Sequence, residues 1–239
     1  MTPEHDLLVM GAHPDDAEVH VGGLLARCAA RGLKAAILDV TCGDLGTRGT
    51  AETRLAEAME AARILGVERH ILDFPDARFD ESEPYRIKVM EVFRALRPRI
   101  LVLPHPLDHH PDHRRVHRLG MEAAFCAGLK NYPGVTGEPW RPKAIAWVGG
   151  VNPPDAPDLV FDVSDVWDQR MAAFDAFGSQ FTPDPTKPPT KISHPSFRAG
   201  IAGRSLHWGA LIQAEHAEGL WTERPVQPAL LDFWHRLHR

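Results

Sequence analysis

The chain has 239 residues, of which 44% are hydrophobic and 25% charged, and its formal net charge is -5. These values are ordinary for a globular protein, and this length suffices for one domain with a sizeable core. The negative charge argues against a general nucleic-acid-binding protein, and no apolar stretch is long enough to span a bilayer.

The N-terminal segment and the cysteines predict where the protein resides. The first six residues contain no basic segment followed by an apolar one, so we expect no signal peptide and a cytoplasmic location. The three cysteines are odd in number and lie in apolar surroundings, which predicts reduced thiols and no disulfide.

Apolar runs alternate with helical spacing along the first 130 residues. Strands are predicted over residues 7–10, 35–40, 70–74 and 100–103. Helices are predicted over residues 24–31, 51–65, 84–96 and 112–128. This alternation predicts a mostly parallel sheet with right-handed crossovers and helices on both faces. The predicted fold is therefore a Rossmann-like three-layer α/β/α arrangement, in a single domain over residues 1–239.

Beyond residue 130 the pattern is weaker. Strands are predicted over residues 144–148 and 159–163, and helices over residues 165–177, 195–219 and 230–237. Residues 152–157 predict a proline-rich turn, and residues 182–189, which contain four prolines, predict a loop that serves as a lid or an interface arm. Glycines at 200, 203 and 209 predict points of close packing within the helix over 195–219.

Polar side chains follow the first predicted strand directly. They are His13, Asp15 and Asp16, and the glycine pair 22–23 precedes the predicted helix. Ligands bind at the carboxyl ends of strands in open α/β sheets. Of two adjacent carboxylates, one can hold a cation while the other acts as a base. An ordinary strand-to-helix turn with a capping Asp is the alternative for this segment alone.

A second cluster follows the fourth predicted strand. Residues 105–113 contain four histidines, and His117 lies one helical turn beyond His113, so it is a candidate ligand by spacing alone. A solvated helix face is the alternative interpretation. Because both clusters end strands of one parallel sheet, a site of three ligands with an open position, which includes His13 and Asp16, is the better interpretation.

The two segments together resemble the LmbE-like (PIG-L type) zinc deacetylases. The resemblance rests on residues 12–16, the glycines at 22–23 and residues 110–113, in this order, and it covers most of the chain. It implies an LmbE-like fold and an enzyme that removes the acetyl group from an N-acetylglucosamine moiety, which is a small-molecule substrate. It also implies a homo-oligomer, of which a hexamer is one form.

The resemblance implies a role for each residue of the two motifs. The implied zinc ligands are His13, Asp16 and His113. Asp15 is the implied general base, and His110 faces the substrate carbonyl with Asp112 as its carboxylate partner. His117 falls outside this assignment and is left as structural. Two imidazoles and one carboxylate also suit Fe²⁺ or another divalent metal.

These residue types predict a mechanism for amide hydrolysis. Zinc would polarise the acetyl carbonyl and acidify a bound water, while Asp15 would take the proton of that water. A cationic His110 would stabilise the oxyanion. Either Asp15 or His110 would protonate the leaving amine.

A further set of residues resembles the deacetylases of bacillithiol biosynthesis, which act on N-acetylglucosaminyl malate. This set consists of residues 48–50, Arg54, Glu57, residues 203–204, Gly209 and Glu215. We expect Arg48 and Arg54 to bind the malate carboxylates, because the planar guanidinium suits a carboxylate. The alternative is that Arg54 only pairs with Glu57 on an exposed helix face.

Other functions remain open at this point. The substrate of the deacetylase could be free N-acetylglucosamine or its oligomers. A nucleotide-binding module would explain the strand, glycine pair and helix, although neither Gly-x-Gly-x-x-Gly nor a Walker motif is present. A catalytically silent oligomeric scaffold is the third alternative. We expect neither nucleic acid nor a membrane as a partner.

Overall fold

The computed structural model describes residues 2–150 and 156–238. The strands of this part are β1 His5–Gly11, β2 Ala35–Thr41, β3 Glu68–Phe74, β4 Pro98–Pro104, β5 Ala144–Val148, β6 Leu159–Asp162 and β7 Ala217–Thr222. The helices are α1 Asp16–Ala30, α2 Ala51–Leu65, α3 Glu83–Leu96, α4 Pro111–Cys126, α5 Trp167–Asp175, α6 Gly178–Phe181, α7 Pro195–Ile212 and α8 Pro228–His238. A short 3-10 turn, Ser164–Val166, precedes α5.

The strands form one sheet in the order β3-β2-β1-β4-β5-β7-β6. Strands β1 to β5 are parallel, and β7 is antiparallel to both β5 and β6. The predicted mostly parallel, Rossmann-like sheet is confirmed. The chain runs from β1 through β2 to β3 on one side, and from β4 to β5 on the other. Strands β1 and β4 are therefore neighbours at the point where the strand order reverses, which is where α/β sheets open a crevice for ligands.

Side chains of the central strands alternate between two cores. Leu7 and Val9 of β1 lie in the core that includes α1 and α5, whereas Leu8 and Met10 lie in the core that includes α3 and α4. Because successive residues of a strand point to opposite faces, a strand that is apolar throughout must be covered on both sides. The sheet is accordingly the middle layer of three.

Helix α1 begins at Asp16, not at residue 24 as predicted, so the first motif lies partly on the helix itself. The helix is broken at Val21, whose φ of -141° and ψ of 27° are not helical. A Cβ atom on Gly23 would lie 2.8 Å from Cβ of Val163, and one on Gly22 would lie 3.3 Å from Cγ of Arg170. The glycine pair therefore allows α1 to approach the segment that joins β6 to α5.

The predicted helix over 195–219 is wrong in its last part. Helix α7 ends at Ile212, because Gln213 adopts a left-handed conformation with φ 61°. Residues 217–222 form β7, since pairing with two strands overrides the local helical pattern. Gly209 packs closely as predicted, for a Cβ atom there would lie 2.6 Å from the Ala214 carbonyl oxygen, but Gly200 and Gly203 have no atom within 4 Å.

The remaining elements agree with the sequence to within a few residues. Residues 182–189 form neither helix nor strand, as predicted. The predicted turn over 152–157 falls mainly on residues 151–155, which lie outside the described residues. In the described part of the chain, no helix has both the length and the apolar character needed to cross a membrane.

Candidate functional site

A cavity of about 440 Å³ opens at the carboxyl edge of the sheet. The loops that follow four adjacent strands contribute to its wall: His13 follows β1, Arg48 follows β2, Asp76 follows β3 and His110 follows β4. Residues 190–192 and the aromatic side chains of Phe181 and Phe197 also line the cavity. The two sequence motifs thus meet in one cavity.

The structure brings the three predicted ligands together around the Asp16 carboxylate. Its Oδ1 lies 3.2 Å from His113 Nε2, and its Oδ2 lies 3.8 Å from His13 Nδ1. The backbone N–H groups of Ala12 and His13 donate to Oδ2 at 2.8 and 3.0 Å, which fixes the carboxylate. Zinc bonds of about 2.0–2.2 Å in a tetrahedral site place ligand atoms roughly 3.4 Å apart. The distance to His113 is close to this value, and the distance to His13, which involves the other carboxylate oxygen, is longer.

Two further sets of donors lie close together among the described residues. The ligand atoms of His13, His110 and His113 lie within 4.8 Å of one another, and so do those of His13, Asp76 and Asp112. These sets leave out Asp16, but both contain His13. The donors are imidazole nitrogens and carboxylate oxygens, which suit a divalent transition metal.

In His13 and His113, the ring nitrogen that does not face Asp16 contacts another carboxylate. Asp108 Oδ2 lies 3.0 Å from His113 Nδ1, and Asp76 Oδ1 lies 3.2 Å from His13 Nε2. A metal-binding histidine is usually oriented in this way by a carboxylate on its second nitrogen. The sequence reasoning missed both aspartates. A usable signal existed for each, because Asp76 follows β3 and Asp108 follows β4 at the same edge of the sheet.

Both histidines hold a proton when no metal is bound. Burial opposes protonation of His13, but Asp112, Asp76 and Asp16 together raise its pKa to about 9. Burial also opposes protonation of His113, yet the Asp16 charge and the hydrogen bond to Asp108 raise its pKa to about 10. The pKa of Asp16 stays well below its usual range despite burial, because the His113 charge stabilises the carboxylate. A bound cation would take the place of these protons.

Asp15 lies beside this cluster with a different environment. Its φ of 124° is unusual for a residue other than glycine. Burial raises the pKa of Asp15 to about 7; the Arg54 charge lowers it and the Asp16 charge adds to the rise. A carboxylate with a pKa near 7 is suited to general-base catalysis.

The Asp112 carboxylate forms its hydrogen bonds with groups other than His110, and its predicted partnership with His110 stays a prediction. The Asp112 carboxylate lies 3.4 Å from His13 Nε2 and contacts Arg115, whereas the contact with His110 is made by the Asp112 backbone. That N–H donates to His110 Nδ1 at 3.2 Å, where the imidazole caps the start of α4. Burial and the nearby His113 and His13 charges lower the pKa of His110. The imidazole is therefore neutral, with its proton on Nε2, because Nδ1 accepts.

The two predicted substrate-binding arginines differ in their surroundings. Arg54 is buried, and its guanidinium donates to Asp15 Oδ2 at 3.1 Å and to the carbonyls of Pro14 and Gly43. Arg54 lines the cavity, as the prediction requires, and the alternative pair with Glu57 is not seen among the described residues. Glu57 instead accepts hydrogen bonds from Ser179.

Arg48 also lines the cavity, and it donates to the Thr182 carbonyl at 2.9 Å. Its buried Nε has no hydrogen-bond partner within the described structure. Lys191 lines the same cavity. By contrast, His117 bonds the Pro104 carbonyl through Nδ1 at 2.8 Å, which agrees with a structural role.

Comparisons with known proteins agree with this fold and site. The profile of the PIG-L family, described as GlcNAc-PI de-N-acetylase, matches residues 8–124. A diacetylchitobiose deacetylase of Thermococcus kodakarensis is 32% identical over 90% of this chain and 81% of its own length. A 4-oxalmesaconate hydratase of Pseudomonas putida is 28% identical over 75% of each chain. The crystal structure of a conserved protein of Thermus thermophilus superposes with a TM-score of 0.84 at 38% identity, covering 93% of this chain and 96% of that one.

These similarities define the class of the protein, an enzyme related to N-acetyl sugar deacetylases. The chain belongs to the PIG-L (LmbE-like) family. The match over residues 8–124 contains both sequence motifs and every predicted ligand.

Proposed function

We propose that this protein is a metal-dependent hydrolase that removes the acetyl group from an N-acetylglucosamine moiety. The observation that carries the proposal is the contact of the Asp16 carboxylate with both His13 and His113 in the wall of the cavity, which Asp15 also lines. A nucleotide-binding module or a silent scaffold would need neither the clustered imidazoles nor a carboxylate whose pKa is about 7.

His13, Asp16 and His113 would hold a divalent cation, for which zinc is the proposed identity. When bound, the cation supplies Lewis acidity toward the acetyl carbonyl and lowers the pKa of water.

The chain's own groups move the protons of the reaction. Asp15 accepts a proton from the attacking water, and Arg54 holds its carboxylate in place through the 3.1 Å hydrogen bond. His110 donates from Nε2 to the developing oxyanion as a neutral imidazole. The C–N bond then breaks, and the proton on Asp15 passes to the leaving amine, which yields acetate and a free amino sugar.

N-acetylglucosaminyl malate is the substrate that we propose. Arg48 and Lys191 support this choice, because both line the cavity and malate carries two carboxylates. Phe181 and Phe197 add an apolar wall on which a sugar ring can pack. The alternative substrates are free N-acetylglucosamine and its oligomers, and a relative is named diacetylchitobiose deacetylase.

The test is a rate comparison on one preparation of zinc-loaded enzyme. We expect acetate release from N-acetylglucosaminyl malate with a kcat/KM at least about tenfold above that for free N-acetylglucosamine or diacetylchitobiose, since one charged hydrogen bond contributes about 1.5–3 kcal/mol. Arg48→Met should remove most of this preference with little effect on the neutral sugars. Equal rates would refute the malate conjugate, and turnover of 4-oxalmesaconate without acetate release would refute the deacetylase.

A further inference from the structure

The break in α1 at Val21 interrupts one backbone hydrogen bond that a regular helix would contain. In a regular helix the Gly23 N–H donates to the Val19 carbonyl four residues earlier. Here the Gly23 and Leu24 N–H groups donate to the Glu218 carboxylate at 3.0 and 2.7 Å. Glu218 belongs to β7, so a distant strand caps the second half of α1.

The break also leaves the Val19 carbonyl without its helical donor, and charged side chains donate to it instead. Arg170 and Arg204 both donate to the Val19 carbonyl, at 3.0 and 3.2 Å. Arg170 in turn lies 3.3 Å from Glu218. The three charged side chains therefore replace the interrupted helical hydrogen bond, with a carboxylate on the donor side and two guanidinium groups on the acceptor side.

Two of these charges lie in the interior of the protein, and Arg204 is half-buried. The side chains of Arg170 and Glu218 are 2% and 4% exposed. A buried ion pair is often no more stabilising than apolar residues of the same volume, whereas it does specify one conformation in some proteins. General stability is thus a weak explanation for this cluster, and control of the helix geometry is a better one.

His20 lies between the cluster and the cavity of the candidate metal site, because it lines both that cavity and a small cavity bounded by Arg170, Arg204 and Glu218. The segment from Asp16 to His20, which ends at the break, carries the ligand Asp16. Arg204 therefore holds this segment at its C-terminal end, through Val19.

Arg204 reaches the other half of the site as well. It donates to the Gly150 carbonyl at 3.3 Å. The backbone of Gly150 packs against Asp108, because a Cβ atom there would lie 2.6 Å from Asp108 Oδ2. Asp108 orients His113. The guanidinium of the half-buried Arg204 thus contacts Val19, on the segment that carries Asp16, and Gly150, which packs against Asp108.

We propose that Arg204, Glu218 and Arg170 form a positioning cluster that fixes the break in α1 and the spacing between Asp16 and His113, and so sets the affinity of the site for a divalent cation. None of the three belongs to the set of predicted ligands, and each acts through the backbone of Val19, Gly23 or Gly150. The inference rests on the proposed function for the identity of the metal site, but the hold on α1 can be tested without it.

The test measures two properties of the full-length protein and its variants: the affinity of the metal-free form for Zn²⁺ by calorimetry, and amide hydrogen exchange over residues 16–24. Arg204→Met keeps the apolar stem and loses both hydrogen bonds. We expect zinc affinity to fall about 10–100-fold, as for other residues that support metal ligands, with faster exchange in the Asp16–His20 segment. Arg204→Lys should restore most of the affinity, since an ammonium can still donate to Val19.

Two further variants keep the result interpretable. Glu218→Gln cannot accept from both Gly23 and Leu24, and we expect faster exchange at these two amides and weaker zinc binding. The matched control is Asp158→Asn, which removes a carboxylate that bonds Thr222 and Arg224 on the same strand pair without contact with α1. It should change neither property.

Wild-type zinc affinity in folded Arg204→Met would overturn the proposal, and so would a loss of affinity in Asp158→Asn equal to that in the cluster variants. If the wild type binds zinc but releases no acetate from any N-acetyl sugar, the proposed function fails while the affinity series still decides the role of the cluster. If the wild type binds no zinc, the proposed metal site is refuted. In that case, unchanged amide hydrogen exchange in both Arg204→Met and Glu218→Gln would also refute the proposal that the cluster fixes α1.

Discussion

Asp15 and Asp16 show how two adjacent residues of one type acquire different chemistry. Asp16 faces two protonated histidines and two backbone N–H groups, so its carboxylate is ionised. Asp15 instead accepts a hydrogen bond from Arg54, and burial raises its pKa to about 7. Environments that separate the pKa values of paired carboxylates are typical of a division between acid–base and binding roles.

Replacement of each aspartate by asparagine should separate these two roles. Asp15→Asn should retain zinc and lose kcat by about 10²-fold or more, the usual scale of general-base catalysis. Asp16→Asn should instead weaken zinc binding, because it removes a charged ligand. Metal content and turnover of both purified variants check this, and the reverse pattern would contradict the assignment.

Metal binding should release protons at neutral pH. The pKa values of His13 and His113 are raised to about 9 and about 10, so both imidazoles are protonated at pH 7 in the metal-free protein. Because a metal binds the neutral imidazole, we expect about two protons to be released per zinc, and an affinity that rises with pH up to pH 9 or 10. Calorimetry in buffers of different ionisation enthalpy measures the number. No release at pH 7 would contradict these protonation states.

The same pKa shifts predict how the metal-free fold responds to pH. A histidine whose pKa is raised on folding stabilises the native state below its unfolded pKa of about 6.5. That contribution declines above pH 6.5 and is lost as the pH rises through about 9 and about 10. Urea unfolding of metal-free protein should therefore show a lower free energy of unfolding at pH 10 than at pH 6.5. His113→Gln should show a smaller decline.

Helix α1 is the element on which the site depends most. Its first turn carries Asp16, and its break lies where Glu218 and Arg204 contact it. The glycine pair belongs to this arrangement because α1 lies too close to Val163 for a side chain at position 23. The requirement for glycine here is therefore tertiary, since neither glycine has a positive φ.

Alanine at two helical glycines should have opposite effects on stability. Gly23→Ala places a Cβ atom 2.8 Å from Val163, and we expect destabilisation of about 1–3 kcal/mol from overpacking. Gly203→Ala is the matched control, because it lies in α7 with no atom within 4 Å. There the change should stabilise by about 0.5–1 kcal/mol, the helix preference of alanine over glycine. Equal changes in the free energy of unfolding for the two variants would contradict this prediction, because they would show that the close contact with Val163 does not destabilise the protein.

At the scale of the whole molecule, one sheet joins both cores and the site. The residues that approach the metal position come from β1, β3, β4, α1 and α4 and their loops, so the site exists only when these elements are assembled. The single domain over residues 1–239 stays a prediction. The homo-oligomer and the cytoplasmic location stay predictions.

Zinc should therefore stabilise the whole fold in one transition. A ligand that binds only the native state at 100 times its Kd stabilises it by about 2.7 kcal/mol. We expect a single thermal transition that moves to higher temperature with zinc, and a smaller movement in Asp16→Asn. Two separate transitions, only one of them zinc-dependent, would contradict the single domain.

Local sequence determined most of the sheet and the two motifs of the site. The strands from β1 to β4 are short apolar runs between helical segments, and such runs predict buried parallel strands. Because these strands are parallel, their carboxyl ends share one edge, so the meeting of His13 with His113 could be predicted without coordinates. The substrate class is what the family resemblance of these motifs implies.

Only the tertiary structure decided which charged groups face each other. Asp112 lies against His13 instead of His110, Arg54 bonds Asp15, and Asp108 and Asp76 orient the two histidines. The strand β7 and its Glu218 likewise depend on pairing with β5 and β6, for which residues 217–222 carry no clear local signal. The physical reason is common to these cases. Strand and helix periodicity is set by neighbours along the chain. Hydrogen bonds between side chains far apart in the sequence require donor–acceptor distances within a few tenths of an ångström, and these distances are fixed only once the layers have packed.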